Sequence, residues 1–244
     1  MISSFFHTIL FQPLYNALVF ISAVVPGQSV ALAIIILTII IRILLLPLYH
    51  KSNHTQRKIK EIEPILKKIK DDHKDDKQEQ ARKIMELYRE HGINPLTSIG
   101  LLFIQLPIIL ALFYVFSRGF QLNLDILYPF VHSPEAINHS VFGLMLITDK
   151  SYILALLVGV TQFFQIKLTL PPIEVKAKDQ EHSLQANFAR SMNMQMRYVM
   201  PVIIAVVASQ FPVAVALYWL TGNIFGILHE MVVKQRAKLI LKNS

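Results

Sequence analysis

One segment near the start of the chain, residues 30–48, constrains the fold more than any other because it is almost entirely aliphatic. As a helix rising 1.5 Å per residue it would reach about 28 Å, close to the hydrocarbon thickness of a bilayer. A single arginine, Arg42, lies inside it, towards its C-terminal end. An arginine stays protonated, and near the bilayer centre it costs about 2.5–3.5 kcal/mol. The sequence therefore predicts a membrane span whose arginine either snorkels to the nearer headgroups or lines a wet cavity enclosed by protein.

The composition agrees with a membrane protein and argues against an enzyme. Hydrophobic residues make up 53% of the chain and charged residues 16%, against about 25% charged in soluble domains. The absence of cysteine excludes disulfides, thiolate metal sites, a cysteine nucleophile and a lipid-modified cysteine. There is no G-x-S-x-G motif or P-loop, and His50 and His54 lack a third metal ligand. We therefore expect no catalytic residue, no cofactor and no metal.

Apolar segments along the chain predict an all-α membrane protein, a bundle of five transmembrane helices. The predicted spans are residues 30–48, 96–117, 151–168, 198–210 and 211–233. The fourth is short for a full crossing. Residues 1–25 place polar side chains on one side of a helix and apolar ones on the other, which predicts an amphipathic helix lying in the membrane interface. A further span is the alternative for this segment.

Residues 51–95 differ sharply from the rest, with twelve basic and nine acidic side chains. Apolar residues recur at helical spacing on both sides of a polar break at residues 71–76. They are Ile59, Ile62, Leu66, Ile69, Ile84, Leu87 and Tyr88. The pattern predicts a helical hairpin with one narrow apolar seam, and its interleaved charges indicate a solvated surface with no specific nucleic-acid site.

Basic residues orient the predicted spans. The hairpin has twelve, the loop 169–197 has four and the tail after Val233 has four, whereas the opposite side has only Arg118 and Lys150. The positive-inside rule then places the hairpin, this loop and the C-terminus in the cytoplasm and the N-terminus outside. Five spans satisfy this arrangement, whereas six would place an N-terminus without basic residues inside.

Several polar side chains fall within the predicted spans and form the candidate site. They are Thr38, Arg42, Gln105, Gln162, Gln165, Tyr218, Trp219 and Asn223. Any single glutamine is well explained as an interhelical hydrogen bond worth about 0.6 kcal/mol. We expect His229 and Glu230, at the end of the last span, to meet headgroups or solvent. No acidic residue lies elsewhere in the predicted spans, so an internal ion pair with Arg42 is ruled out. An arginine with several polar groups at similar depth favours a hydrated groove open to the cytoplasm.

Stretches distributed along the chain resemble the conserved core of the YidC-type membrane protein insertases, relatives of the mitochondrial and chloroplast insertases. The stretches that carry the resemblance are Ile41-Arg42 with Leu46-Pro47-Leu48, the segment 88–112, Thr161-Gln162 with Lys167-Leu168, the segment 196–201, and Phe211-Pro212 with Leu217-Tyr218-Trp219 and Asn223. Each is weak alone, but their combined order is specific and covers about residues 1–238.

The resemblance implies a function and a set of partners. It implies five spans around a hydrophilic groove that is open to cytosol and lipid and closed to the outside, in a bacterial plasma membrane. The arginine would contact polar stretches of an incoming nascent membrane protein, and the hairpin would help to recruit it. The translating ribosome, the Sec translocation channel and membrane lipids are further expected partners, although the short basic tail after Val233 argues for weak ribosome docking.

Other function classes remain open at this point. A small-anion transporter would also need an arginine in a polar cavity, but the sequence lacks paired half-repeats with broken helices. An intramembrane enzyme would need a nucleophile or a metal set. A scaffold that only assembles other membrane proteins could use the same groove.

Overall fold

The computed structural model describes residues 6–94, 96–117, 123–132, 134, 136–169 and 194–243. This part of the chain is mostly helical, which confirms the predicted helical class. The helices are α1 (Gln12–Val24), α2 (Val30–Leu44), α3 (Leu46–Glu61), α4 (Glu63–Asp72), α5 (Lys77–Glu90), α6 (Leu96–Ser117), α7 (Tyr152–Thr169), α8 (Met200–Ala208) and α9 (Val213–Asn243). Short π-helical turns, His7–Phe11 and Gln195–Val199, lead into α1 and α8.

The chain divides into two units. The first contains residues 1–42 and 109–244, and the second contains residues 43–108. In the first unit α7 packs against both α8 and α9. The approach to α8 is close because a β-carbon at Gly159 would lie only 2.8 Å from the Ala205 Cβ. Glycine at this position therefore allows two apolar helices to come together.

The outward surfaces of these helices are apolar. On α7 the side chains of Tyr152, Ile153 and Leu156 are exposed, and on α8 those of Val202 and Val206 are exposed. Large contiguous apolar surfaces of this kind are rare on soluble proteins and indicate contact with lipid or protein. The core of the first unit meanwhile buries the start of the last helix, from Val213 to Tyr218.

The segment 123–149, which we call the cap, joins three parts of the first unit through hydrogen bonds. Buried Asn16 donates to the Ile126 carbonyl at 2.8 Å and accepts from the Tyr128 amide at 2.6 Å. The Val30 amide donates to the Asn138 carbonyl at 3.1 Å. The Val213 and Ala214 amides donate to the carbonyls of Asp149 and Ile147 at 2.7 and 2.9 Å. The cap thus connects α1 with the N-terminal ends of α2 and α9.

The cap also contains the departure from a purely helical fold, a two-stranded antiparallel hairpin. Its strands are β1 (Ser140–Val141) and β2 (Met145–Leu146), and Val141 pairs with Met145. Two residues are too few for strand periodicity to be visible in the sequence, so the sequence did not predict this short hairpin within a mostly helical chain.

The second unit contains the predicted helical hairpin. Ile62, Leu66, Leu87 and Ile93 form its buried cluster, with partly buried Ile59, Ile69, Ile84 and Tyr88 packed against them. The seven residues predicted to form the seam all belong to this set. The polar break is also present, because the structure ends α4 at Asp72 and begins α5 at Lys77.

The ends of α5 follow ordinary capping chemistry. The Asp76 carboxylate accepts from the amides of Gln78 and Glu79 at 3.1 and 3.0 Å and so caps the first turn. At the other end Gly92 takes a positive φ of 60°, and the Ile93 amide donates to the Tyr88 carbonyl at 2.7 Å. Within the helix, the hydrogen bonds from Arg82 lower the pKa of the Glu79 carboxyl.

Two helices of the described residues are long and apolar enough to cross a membrane, His7–Val24 and Tyr152–Thr169. The consecutive helices Val30–Leu44 and Leu46–Gln56, counted together, would make a third. The count of five spans therefore stays a prediction, as does the interfacial placement of residues 1–25. Most of the predicted cytoplasmic loop, residues 170–193, lies outside the described residues.

Candidate functional site

Arg42 is buried in the first unit, against the last helix. Its side chain is 7% exposed. A β-carbon at Gly222 of α9 would lie 3.0 Å from both the Cζ and the Nε of Arg42, closer than a relaxed contact. The guanidinium therefore rests where α9 has no side chain. Both explanations that the sequence allowed, snorkelling to the headgroups and a wet cavity enclosed by protein, stay predictions.

The end of α2 contributes to the placement of this charge. The predicted span of residues 30–48 is interrupted, because α2 ends at Leu44 and α3 begins at Leu46, just before Pro47. Arg42 thus occupies the last turn of α2. A cation in the last turn is stabilised by the helix dipole and by the carbonyl groups that lack intrahelical partners.

Thr38 lies one turn before Arg42 and is buried, with 1% of its surface exposed. Its hydroxyl donates to the Ile34 carbonyl of its own helix at 2.6 Å. The hydroxyl is therefore already satisfied by backbone, and it retains acceptor capacity on the face that it shares with Arg42.

Asn223 joins α9 to α7. Its side-chain amide is buried and donates to the Val158 carbonyl and to the Thr161 hydroxyl, both at 3.2 Å. The Thr161 hydroxyl in turn donates to carbonyls of its own helix, those of Leu157 and Val158. This is the interhelical role that the sequence left open for any single amide of the set.

Gln165 lies against α9 one turn beyond the arginine. A β-carbon at Gly226 would lie 3.0 Å from the Gln165 Cδ, so a second glycine accommodates a second polar side chain. Gly222 and Gly226 are four residues apart, about 6 Å along the helix axis. We call Gly222, Asn223 and Gly226 the α9 stripe, and it brings Arg42 and Gln165 onto the same side of one helix.

The other predicted site residues lie on α9, α7 and α6. Tyr218 is buried and Trp219 half-buried, each one turn before a member of the stripe. Gln162 is half-buried on α7. Gln105 is half-buried on α6 and belongs to the second unit.

The sequence contained a signal for the stripe that the prediction overlooked. Gly222 and Gly226 form a G-x-x-x-G spacing within an apolar span, a pattern that permits close approach of a neighbouring helix. Here each glycine faces a polar side chain of another helix. The two small residues were therefore as informative as the polar ones.

One prediction about the end of the last span was wrong. Glu230 was expected to meet headgroups or solvent, but it is 4% exposed. The inference that the helices bury no acid was wrong for the same reason. Glu230 lies two turns beyond Gly222, about 12 Å along the axis, and Arg197 is a second buried charge that the sequence did not reveal.

These observations define a class: a helical membrane protein that buries an arginine and several hydrogen-bonding side chains among apolar helices. Comparison with known proteins makes the class specific. The family described as 60Kd inner membrane protein matches residues 20–240. The chain belongs to this family, which includes the YidC proteins.

Individual relatives agree with the family. The chain is 33% identical over 214 residues to "Membrane protein insertase YidC" of Oceanobacillus iheyensis, covering 86% of this chain and 76% of the relative. Over 231 residues it is 29% identical to the protein of the same name from Pelobacter propionicus, covering 93% of this chain and 39% of the relative. The protein of the same name from Francisella philomiragia is 29% identical over 202 residues, covering 83% of this chain and 32% of the relative. The chain thus spans about a third of the length of the two longer relatives.

Proposed function

We propose that this protein inserts nascent membrane proteins into the bilayer and helps them to fold, through a hydrophilic groove open to the cytoplasm and to lipid. Membership of a family whose relatives are named insertases supports the general activity. The burial of Arg42 against Gly222 is the observation that carries the mechanism. The remaining groove contacts proposed are those of the candidate site: Thr38, Gln105, Gln162, Gln165, Tyr218, Trp219 and Asn223.

The mechanism follows from the cost of moving polar groups across a bilayer. A translocating tail must leave water, and a wet half-channel shortens the dry part of its path. The guanidinium attracts acidic side chains in that tail. At an effective dielectric constant near 20, two opposite charges about 4 Å apart gain about 4 kcal/mol before desolvation is subtracted.

The proposed partners and topology extend this function. Nascent membrane proteins are the substrates, and the cytoplasmic hairpin of residues 51–95 recruits them. The translating ribosome, the Sec channel and membrane lipids are further proposed partners. The protein would reside in a bacterial plasma membrane with its N-terminus outside and its C-terminus in the cytoplasm, as the distribution of basic residues supports.

The role of Arg42 can be tested with matched substrates whose translocated tails are acidic or neutral. We expect Arg42→Ala to lower insertion of the acidic-tail substrate about tenfold, equivalent to about 1.4 kcal/mol, and to affect the neutral one mildly. Arg42→Lys keeps the charge and should retain much of the activity. The measurement is insertion into liposomes by purified wild-type and variant protein. Equal loss on both substrates, with normal folding, would exclude the electrostatic mechanism.

A small-anion transporter is the alternative that the same buried arginine supports. It predicts uptake of inorganic anions by the same liposomes, abolished in Arg42→Ala. It also predicts no crosslinks from photoreactive groups at Thr38, Gln105 or Trp219 to a ribosome-bound single-span protein. The insertase proposal predicts crosslinks from all three and no anion uptake.

A further inference from the structure

The tip of the cap hairpin, Phe142-Gly143-Leu144, presents large apolar side chains outward. Phe142 is 64% exposed and Leu144 is 80% exposed. No Asp, Glu, Lys or Arg occurs between His139 and Thr148. An uncharged, convex apolar tip on an ordered loop needs a physical reason, because water is a poor environment for it.

Hydrogen bonds hold the hairpin in this form. The Leu144 amide donates to the Val141 carbonyl at 3.0 Å and closes the turn. The Gly143 amide donates to the Ser140 hydroxyl at 3.0 Å, and the Ile147 amide donates to the His139 carbonyl at 2.9 Å. Ile147 itself is fully buried. These hydrogen bonds therefore fix the backbone that presents the apolar tip.

The backbone at the tip is unusual for the residue that occupies it. Phe142 has a φ of 52° and Gly143 a φ of 77°. A turn with two positive φ values normally takes Asn-Gly or Asp-Gly, since a bulky side chain at the first position is strained. Residues with a strained backbone conformation of this kind persist where the surrounding structure holds them in place, and they cluster at functional sites. Here the residue is an exposed phenylalanine.

The position of the hairpin indicates what it meets. The Val213 amide donates to the Asp149 carbonyl, so the hairpin lies at the N-terminal end of α9. Three residues after Asp149 the chain enters α7, whose first residue, Tyr152, is 78% exposed and begins the apolar outer surface of that helix. The tip is thus close in sequence to the surface that faces lipid in a membrane protein, at the end of a span where aromatic residues meet headgroups.

We propose that Phe142 and Leu144 insert into the adjacent leaflet, at the boundary between headgroups and acyl chains, and anchor the cap to the membrane. The occupant of this surface is phospholipid. A convex tip of two side chains separated by glycine offers no groove for a peptide, whereas a fluid acyl region adapts to any convex shape. Insertion of an apolar group to about 5–10 Å is typical of interfacial anchors.

The chain contains no cysteine, so a single spin label measures the depth directly. Full-length protein carrying Leu144→Cys with a nitroxide is reconstituted in phosphatidylcholine vesicles, and its collisions with oxygen and with a water-soluble nickel chelate are compared. Thr148→Cys, an exposed position of the same loop, is the matched control. The label at residue 144 should lie about 5–10 Å below the phosphates, and the label at residue 148 in water.

Two further measurements make the outcome decisive. Adding phosphatidylglycerol should leave the depth unchanged, because the tip has no charge. Phe142→Asp, combined with the label at residue 144, should move that label into water while thermal unfolding stays cooperative. Equal nickel accessibility at residues 144 and 148 would overturn the proposal and leave the tip as a surface for a protein partner. If the label at residue 144 keeps the same depth in the Phe142→Asp variant, the proposal is overturned as well.

Discussion

At the level of single residues, the site depends on side chains that are missing as much as on those that are present. Gly222 leaves the space in which the Arg42 guanidinium rests, and Gly226 does the same for Gln165. In an ordinary helix interior, replacing glycine by alanine favours the helix by roughly 1 kcal/mol. Here the added methyl group would collide with a functional side chain, so the two effects oppose each other.

We therefore predict that Gly222→Ala reproduces the effect of Arg42→Ala, with an about tenfold loss on acidic-tail substrates and a small loss on neutral ones. Gly226→Ala is the matched control, since its methyl group meets Gln165 and should leave the difference between the two tails intact. The measurement is insertion in liposomes. Because the two residues touch, the double variant of Gly222 and Arg42 should lose no more than Arg42→Ala alone. Wild-type insertion of both substrates by Gly222→Ala would contradict this positioning role.

Sequence reasoning located the polar residues but could not assign their partners. Arg42 stood out because an obligate cation interrupts an aliphatic run, and its burial agrees with a protein-enclosed position. Asn223 and Thr161 are 62 residues apart in the chain, so their hydrogen bond follows only from the packing of α7 on α9. Glu230 was misplaced because a position near the end of a span indicates depth along the helix but not which side of it faces protein.

At the level of elements, the hairpin and the cap contrast in how far the sequence revealed them. The seam of the hairpin repeats every three or four residues, so its helices and its core were both readable. The cap is held by side-chain-to-backbone bonds between residues about a hundred positions apart, such as those of Asn16. Contacts of this type leave no periodic pattern in the amino-acid sequence.

Asn16 is the residue on which the cap depends most. Asn16→Ala removes the donor to the Ile126 carbonyl and the acceptor of the Tyr128 amide, and it should lower the stability of the folded protein by about 1–3 kcal/mol. Gln12→Ala removes a single, longer bond of 3.3 Å to the same carbonyl and should cost less. Thermal unfolding in detergent compares them. Equal destabilisation by the two variants would show that the cap is held elsewhere.

The hairpin should be removable without loss of the first unit, because the eight apolar side chains of its cluster all belong to the second unit. Replacing residues 59–93, which contain all eight members of the cluster, with a flexible linker should leave the remaining helices folded and inserted but lower insertion activity. Protease resistance and activity in liposomes are the two measurements. A variant that fails to accumulate would show that the hairpin is needed for folding.

At the level of the whole molecule, the prediction that connects all others is the topology. Lys74→Cys in the hairpin should react with a membrane-impermeant maleimide only from the cytoplasmic side, and Thr148→Cys in the cap only from outside. Both positions are exposed, and the absence of native cysteine removes background. Labelling of Thr148→Cys from the cytoplasm would contradict the five-span arrangement and the proposed orientation of the groove.

The hydrogen bonds of the cap also determine the stage of translation at which the cap can be completed. Asn16 and Val30 are translated before the cap, whereas Val213 and Ala214 are translated after it. Until Val213 and Ala214 have been translated, the carbonyls of Ile147 and Asp149 lack the amide donors that they have in the folded protein. The last helix therefore completes the hydrogen bonds of the cap, and a chain whose translation stalls before residue 213 lacks the donors for the Ile147 and Asp149 carbonyls.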